Sequence, residues 1–292
     1  MIKDVEGFLA DLQLSRRSPY TVRGYTYTLG RFFRSCKKEC AADVTVDDMR
    51  KFLLENQKLK TNTYRLYVSS LKKFFERSNP TLFEWLRRNI NIKPAYVETT
   101  PFTEKEMYAL AEDLKSHSRP VWLGEMWETL HWFLLAQGSR IGETISLDMG
   151  DVVLEDGLYK NNYRAETTKT GKKRQTFIAQ SSYPGALLHN YIHKYRANAK
   201  FDEPLFIGRD GNRLNKNRFE IKYIEAKKRL GIRGRCSPHV CRHTYDTFLM
   251  HKNVPLAVIS SITGQSVQTL GSVYLHTTIK VKQDVARKHQ IV

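Results

Sequence analysis

The sequence predicts a mainly α-helical protein that carries one small antiparallel β-sheet. Three observations predict this. Apolar residues recur at three- and four-residue spacing through the first ~90 residues. Short strand-like runs bounded by turn residues are confined to 150–180. From Tyr183 onward the spacing is helical again to the C-terminus. A break between Asn89 and Pro101 divides the chain, so two domains are expected, 1–92 and 103–292, joined by a linker over 93–102.

Each element has its own signal. Ser18 before Pro19 is a cap followed by a residue whose fixed φ suits the first helical position, and Val22, Tyr25, Leu29, Phe32 and Phe33 then share a face. Thr45-Val46-Asp47-Asp48 resembles a capping box ahead of Met49, Phe52 and Leu53. A third helix starts near Thr61-Asn62-Thr63 and presents Tyr64, Val68, Leu71, Phe74 and Phe75. Pro94, Glu98-Thr99-Thr100 and Pro101 interrupt the pattern, and Thr103-Glu104-Lys105-Glu106 restarts it with a second capping box. The strongly apolar run from Trp127 to Ala136 reads as a buried helix stopped by Gly138, which puts Arg140 in or just after a tight connection between two buried helices. Val152-Val153-Leu154, Leu158-Tyr159 and Arg174–Ile178 read as strands, with turns at Glu155-Asp156-Gly157 and Thr170-Gly171-Lys172 and Lys169 at a hairpin.

Composition narrows the function. The 292 residues are 41% hydrophobic, contain no long apolar run and begin with acidic residues where a secretion signal needs basic ones, so a soluble cytoplasmic protein is expected. The formal charge is +18. Residues 1–100 carry 19 Lys and Arg against 11 Asp and Glu, and the remainder 29 against 19, so both halves are basic and a polyanion such as nucleic acid is the expected partner. Arg16, Arg17, Arg23, Arg31, Lys60, Arg65, Lys72 and Lys73 fall between the apolar stripes of the first domain, as a solvated face or as a surface that clasps DNA. Lys172 and Lys173 add charge at the hairpin. Cys36 and Cys40 stand far from Cys236 and Cys241, which does not suit a disulfide framework. Cys236, His239, Cys241 and His243 resemble a ligand cluster, yet they occupy one short segment whose side chains diverge, so no metal is expected.

The chemistry lies near the C-terminus. In Ser237-Pro238-His239-Val240-Cys241-Arg242-His243 a capping serine and a first-turn proline start a helix that puts His239 and Arg242 on one face, where free backbone N–H groups favour an anion. That pattern alone is weak. Arg140 supplies a second guanidinium, which Glu143 can orient from three residues on. Two arginines and a histidine can hold one phosphate, and a tyrosine hydroxyl can attack it. Tyr274 lies 32 residues beyond Arg242, in Ser272-Val273-Tyr274-Leu275, whereas Tyr245, on the same expected helix as Arg242, reads as packing.

The order Arg140-x-x-Glu143, Lys169 in a hairpin, His239-x-x-Arg242 and then Tyr274 resembles the tyrosine recombinases, the phage-integrase and Xer family, over nearly the whole chain. The resemblance implies an all-helical SAM-like core-binding domain followed by a mixed α/β catalytic domain with a C-terminal tail. It implies that Tyr274 attacks a scissile phosphate to leave a 3′-phosphotyrosine and a free 5′-hydroxyl, that Arg140 and Arg242 clamp the phosphate, that His239 exchanges a proton with the tyrosine and that Lys169 protonates the leaving oxygen. No metal, cofactor or ATP is implied. The implied partner is double-stranded DNA, with four protomers on two sites at synapsis and a monomer or weak oligomer when free, in the cytoplasm and at the nucleoid. A tail segment around Val281 to Lys288 would dock on a neighbouring protomer or on its own domain.

One position departs from the family. Thr263-Gly264-Gln265 stands where a histidine or tryptophan is usual, and Gln265 can donate an N–H to phosphate but cannot titrate. Four readings follow: an integrase, an Xer-type dimer resolvase, a type IB topoisomerase, or a DNA-binding protein that has lost the ability to cut.

Overall fold

A computed structural model of the chain describes residues 2–95, 99–168 and 171–276, with 272–276 described for their backbone alone. The chain divides into two compact units, Met1–Val97 and Glu98–Val292.

The first unit is helical throughout: α1 (Lys3–Leu14), α2 (Pro19–Cys36), α3 (Val46–Asn56), α4 (Thr61–Ser78) and α5 (Pro80–Asn89). Ser18 caps α2 by accepting the Thr21 N–H at 3.2 Å, and Thr45 and Asp48 form the reciprocal box that opens α3. Phe32 meets Phe52 and Phe75 edge-on, with centroids 5.1 and 5.7 Å apart, and Phe74 meets Phe75 at 4.9 Å. This aromatic cluster is the core that the helical spacing demands. Asn79 ties the far end together. Its Oδ1 accepts the Leu82 N–H at the start of α5, while its amide donates to the Ala41 and Val44 carbonyls at 3.2 and 3.3 Å.

Two cations read as surface charges have other tasks. Half-buried Lys72 donates its Nζ to the Ile90 carbonyl at 2.6 Å, just past the end of α5, and burial lowers its pKa. It closes a helix terminus, as lysines near C-terminal carbonyls do. Arg31 is held by the Tyr27 and Tyr67 hydroxyls and by Asn56 Oδ1.

The second unit is built around α7 (Val121–Gln137), which is apolar on all sides because α6 (Glu104–Ser116), α9 (Tyr183–Tyr195) and α11 (Pro238–His251) all pack against it. Thr103 and Glu106 form the predicted box ahead of α6. Trp127 stacks on Phe219 of α10 (Lys216–Leu230), with centroids 5.2 Å apart. His131 is fully buried, with its ring nitrogens on the Tyr223 hydroxyl and the Met107 carbonyl, and burial lowers its pKa to about 4, so it is a neutral core residue. After Gly138 comes the single turn α8 (Ile141–Thr144), then strands β1 (Val152–Glu155), β2 (Leu158–Tyr163) and β3 (Arg174–Ala179) in an antiparallel sheet of order β1-β2-β3. Tyr163 pairs with Arg174 at the end of the β2–β3 ladder where the chain connects the two strands.

The expectation of continuous helix after Tyr183 is corrected. Residues 196–215 form a non-helical connection strapped down by isolated bridges from Asp148 to Pro204 and from Ile207 to Arg213. Pro204 and the left-handed Gly211 prevent a helix there. The chain then continues through α10 and α11 to α12 (Leu256–Thr263) and α13 (Val267–His276). Among the described residues no helix is long and apolar enough to cross a membrane.

The role of Asn79 is testable. Asn79→Ala removes one cap and two buried-side donors, and should destabilise the first unit by about 2 kcal/mol in urea titration of the whole chain. A loss below about 0.5 kcal/mol would show that the asparagine is dispensable.

Candidate active site

Four segments converge where α7 ends. Gly138 terminates the helix with φ 56°. A Cβ at this position would lie 2.3 Å from Tyr245 Cδ1, so a side chain is excluded by space as well as by backbone conformation. The Gly138 carbonyl accepts Arg242 Nη1 at 2.9 Å. Arg242 is only 1% exposed, and among the described residues its buried Nη2 has no protein partner. Burial, with Arg140 nearby, lowers its pKa to about 10, which still leaves it charged at neutral pH.

Arg140 is the N-cap residue of α8. Its Nη1 donates to Glu143 Oε1 at 2.8 Å and its backbone N–H to Oε2 at 3.3 Å. Glu143 is buried, and its Oε2 also accepts Arg174 Nη2 at 2.6 Å. Burial works against the Glu143 charge, but the hydrogen bonds and charges of Arg174 and then Arg140 outweigh it and hold the carboxyl below its ordinary range. Arg174 lies 4.2 Å over the Tyr163 ring and fills space beside Gly264, where a Cβ would sit 3.2 Å from its Nη1. Sequence reading missed Arg174. The available signal was parity, because 174 shares its strand face with the buried Thr176 and Ile178, and an arginine on an inward face needs a carboxylate.

Ser237 and Pro238 start α11 as expected, but the serine side chain makes no capping bond, and its buried Oγ has no partner among the described residues. His239 presents an exposed edge in the first turn. The protein packed around the ring lowers its pKa to about 4, and the positive charges of Arg235, Arg242 and Arg140 act in the same direction. It is therefore neutral at pH 7 and able to take a proton.

One turn beyond Arg242, Asp246 is 2% exposed and accepts a hydrogen bond from Gln265 Nε2, while its Oδ1 has no partner among the described residues. Burial raises its pKa to about 6, against the opposing pull of Gln265, Arg242 and Arg140. This carboxylate was also missed, because a lone aspartate within a helix carries no pattern. Gln265 follows Gly264, the left-handed stop of α12. One of its N–H groups, expected to face a phosphate, is taken by Asp246.

Helix α13, whose backbone carries Tyr274, packs against α11 and α12. The Tyr274 side chain, Lys169 and the 281–288 tail lie outside the described residues. Tyr245 packs over Gly138, and burial pushes its pKa to about 12. Cys241 meets the Tyr223 hydroxyl at 3.0 Å and Cys236 the Tyr223 carbonyl at 3.9 Å, so both thiols face the core. Among the described residues no three histidine, cysteine or acidic side chains are grouped to hold a metal ion.

Of the expected DNA contacts, Arg17 and Arg23 line a cavity of about 390 Å³ between α1 and α2, and Arg16 is exposed. Lys60 and Arg65 are exposed at the start of α4, and Lys73 pairs with Glu76 at 2.6 Å. Lys172 and Lys173 are exposed before β3, where Lys173, Arg164 and Arg174 line a cavity of about 480 Å³.

Comparison with known proteins agrees with this architecture. Residues 100–280 match the family model described as Phage integrase family, and residues 5–77 the one described as Phage integrase, N-terminal SAM-like domain. The tyrosine recombinase XerC of Bacillus licheniformis is 27% identical over 96% of this chain and 92% of its own. Among solved structures, the XerH site-specific recombinase bound to palindromic difH substrate superposes with a TM-score of 0.73 at 18% identity, over 91% of this chain and 79% of that one. A lambda integrase tetramer bound to a Holliday junction gives 0.67 at 14% identity, over 90% and 76%.

Two outcomes follow from the buried charges. Arg174→Met should cost about 3 kcal/mol or more in unfolding free energy, because it removes one guanidinium from the buried Glu143 carboxylate. A neutral effect would mean that the carboxylate does not depend on Arg174. Asp246 binds its proton more tightly folded than unfolded, so its contribution is fully present below about pH 4 and is lost as pH rises through about 6. Asp246→Asn should therefore raise stability at pH 8 by about 1–3 kcal/mol and leave it unchanged at pH 4. Equal effects at the two pH values would contradict the assignment.

Proposed function

The chain belongs to the phage integrase family and is a tyrosine recombinase, and on that premise we propose that Tyr274 attacks a phosphodiester of double-stranded DNA. The tyrosine oxygen bonds to phosphorus, the bond to the 5′-oxygen breaks, and the strand is left as a 3′-phosphotyrosine. The 5′-hydroxyl of a second strand then reverses the step, with the bond energy retained, so no ATP is consumed. Arg140 and Arg242 neutralise the non-bridging oxygens, neutral His239 takes the tyrosine proton, and Lys169 supplies a proton to the leaving oxygen. Gln265 contributes an N–H to the phosphate, and Glu143 orients Arg140.

One observation carries the reading. Arg242 keeps a buried guanidinium donor that no protein group among the described residues satisfies, beside Arg140 and His239, and the helix bearing Tyr274 packs against the helix bearing Arg242. A buried donor of this kind is costly unless an anion completes it. The formal charge of +18 and the exposed Arg16, Arg17, Arg23, Lys60, Arg65, Lys172 and Lys173 supply phosphate contacts along a duplex. Four protomers on two DNA sites is the working assembly, by analogy with the lambda integrase tetramer, and the DNA substrate sets its work in the cytoplasm at the nucleoid. Resolution of chromosome or plasmid dimers uses the same chemistry and is the second form of this reading, since XerC is a relative along nearly the whole chain.

Covalent trapping tests the proposal. Protein incubated with nicked duplex fragments pooled from its source DNA, then denatured and digested, should yield a DNA-linked peptide containing Tyr274, and Tyr274→Phe should yield none. Tight binding of the fragments with no adduct would instead identify a DNA-binding protein that does not cut.

A further inference from the structure

We propose that Asp246 is a positioning residue for strand cleavage, which fixes the side-chain amide of Gln265 so that its second N–H is offered to the phosphate. The inference rests on the recombinase reading and adds to it a residue that neither the motif nor its spacing singles out. Two observations carry it. The buried Asp246 Oδ2 accepts Gln265 Nε2, and the buried Oδ1 has no partner among the described residues. An ionised carboxylate only accepts hydrogen bonds, whereas a glutamine amide has a donating end and an accepting end. Of the two amide orientations, only the one that points Nε2 toward Asp246 is compatible with the bond, and it leaves one N–H of the same nitrogen free. The opposite orientation would set Oε1 lone pairs against the carboxylate.

The surroundings make the arrangement specific. The turn at Gly264-Gln265 lies against the Arg174 guanidinium, and Ser260 Oγ holds the Gln265 carbonyl at 2.6 Å, so the backbone of the turn is fixed from two sides. The side-chain amide is then the remaining freedom, and Asp246 removes it. The ionisable groups facing Asp246 are Arg242 and Tyr245 on its own helix and Arg140 from the connection after α7. Two of these are the guanidiniums assigned to the phosphate. Asp246 therefore holds a donor in place beside them while keeping a buried carboxylate near the anion they bind. Burial disfavours the Asp246 charge, so the carboxylate is kept there at a cost in stability.

A double-mutant cycle on single-turnover cleavage tests the idea, using a nicked duplex that carries the sequence recovered in the Tyr274 adducts. Asp246→Ala and Asp246→Asn should each slow cleavage at saturating protein by about 10- to 100-fold, with the half-saturating concentration unchanged, because asparagine permits both amide orientations. Gln265→Ala should slow it comparably, and Asp246→Ala should have no further effect in that background. Asp246→Asn is expected to fold at least as stably as the natural chain at neutral pH, so slower cleavage in that variant is not a folding defect. The proposal is overturned if Asp246→Ala slows cleavage equally with and without Gln265, or if either Asp246 variant cleaves at the full rate. Absence of any adduct with the unaltered protein would instead remove the recombinase reading itself.

Discussion

The bond on which this site depends is the one Glu143 makes to two guanidiniums at once. Arg140, Arg174 and Arg242 crowd one small region, and left alone the three guanidiniums would repel one another. Glu143 sits between two of them, almost without solvent. It fixes Arg140 from the start of α8 and Arg174 from β3, so it joins the end of the buried helix to the sheet. The net charge stays positive, which suits an anion, while the geometry is that of a bonded framework. The same carboxylate accepts Nη2 of Arg174, which in turn occupies the space beside Gly264 that a side chain would otherwise fill. The position of the Gln265 turn is thereby linked to Glu143 through a chain of contacts.

Much of this was legible in the chain. Helix starts at Ser18, Thr45 and Thr103 follow from local capping chemistry, which depends on three or four neighbouring residues. The buried character of α7 and its stop at Gly138 are equally local. The Arg140–Glu143 pair was readable because partners three residues apart on a helical turn can meet.

Other features were not legible, for a physical reason. Arg174 to Glu143, Asp246 to Gln265 and Lys72 to Ile90 join residues far apart in sequence, and whether a charge faces water or a partner is decided only when the elements pack. Lys72 illustrates the point: its spacing in α4 puts it among surface cations, yet α5 folds back and brings a carbonyl to it. The connection over 196–215 was misread because a sparse helical pattern was extended across a proline and a turn glycine.

The anchoring of Arg242 to the Gly138 carbonyl reaches beyond packing. A surface arginine can follow its ligand by rotating about its side-chain torsions, and it carries considerable rotamer freedom. Arg242 has no such latitude, since one nitrogen is tied to the backbone and the whole side chain is enclosed. If Arg242 holds the phosphate as proposed, its charge is aligned beforehand and has little reorganisation left to undergo. In the proposed reaction the adjustment would then fall on the DNA strand, whose backbone would have to come to the guanidinium.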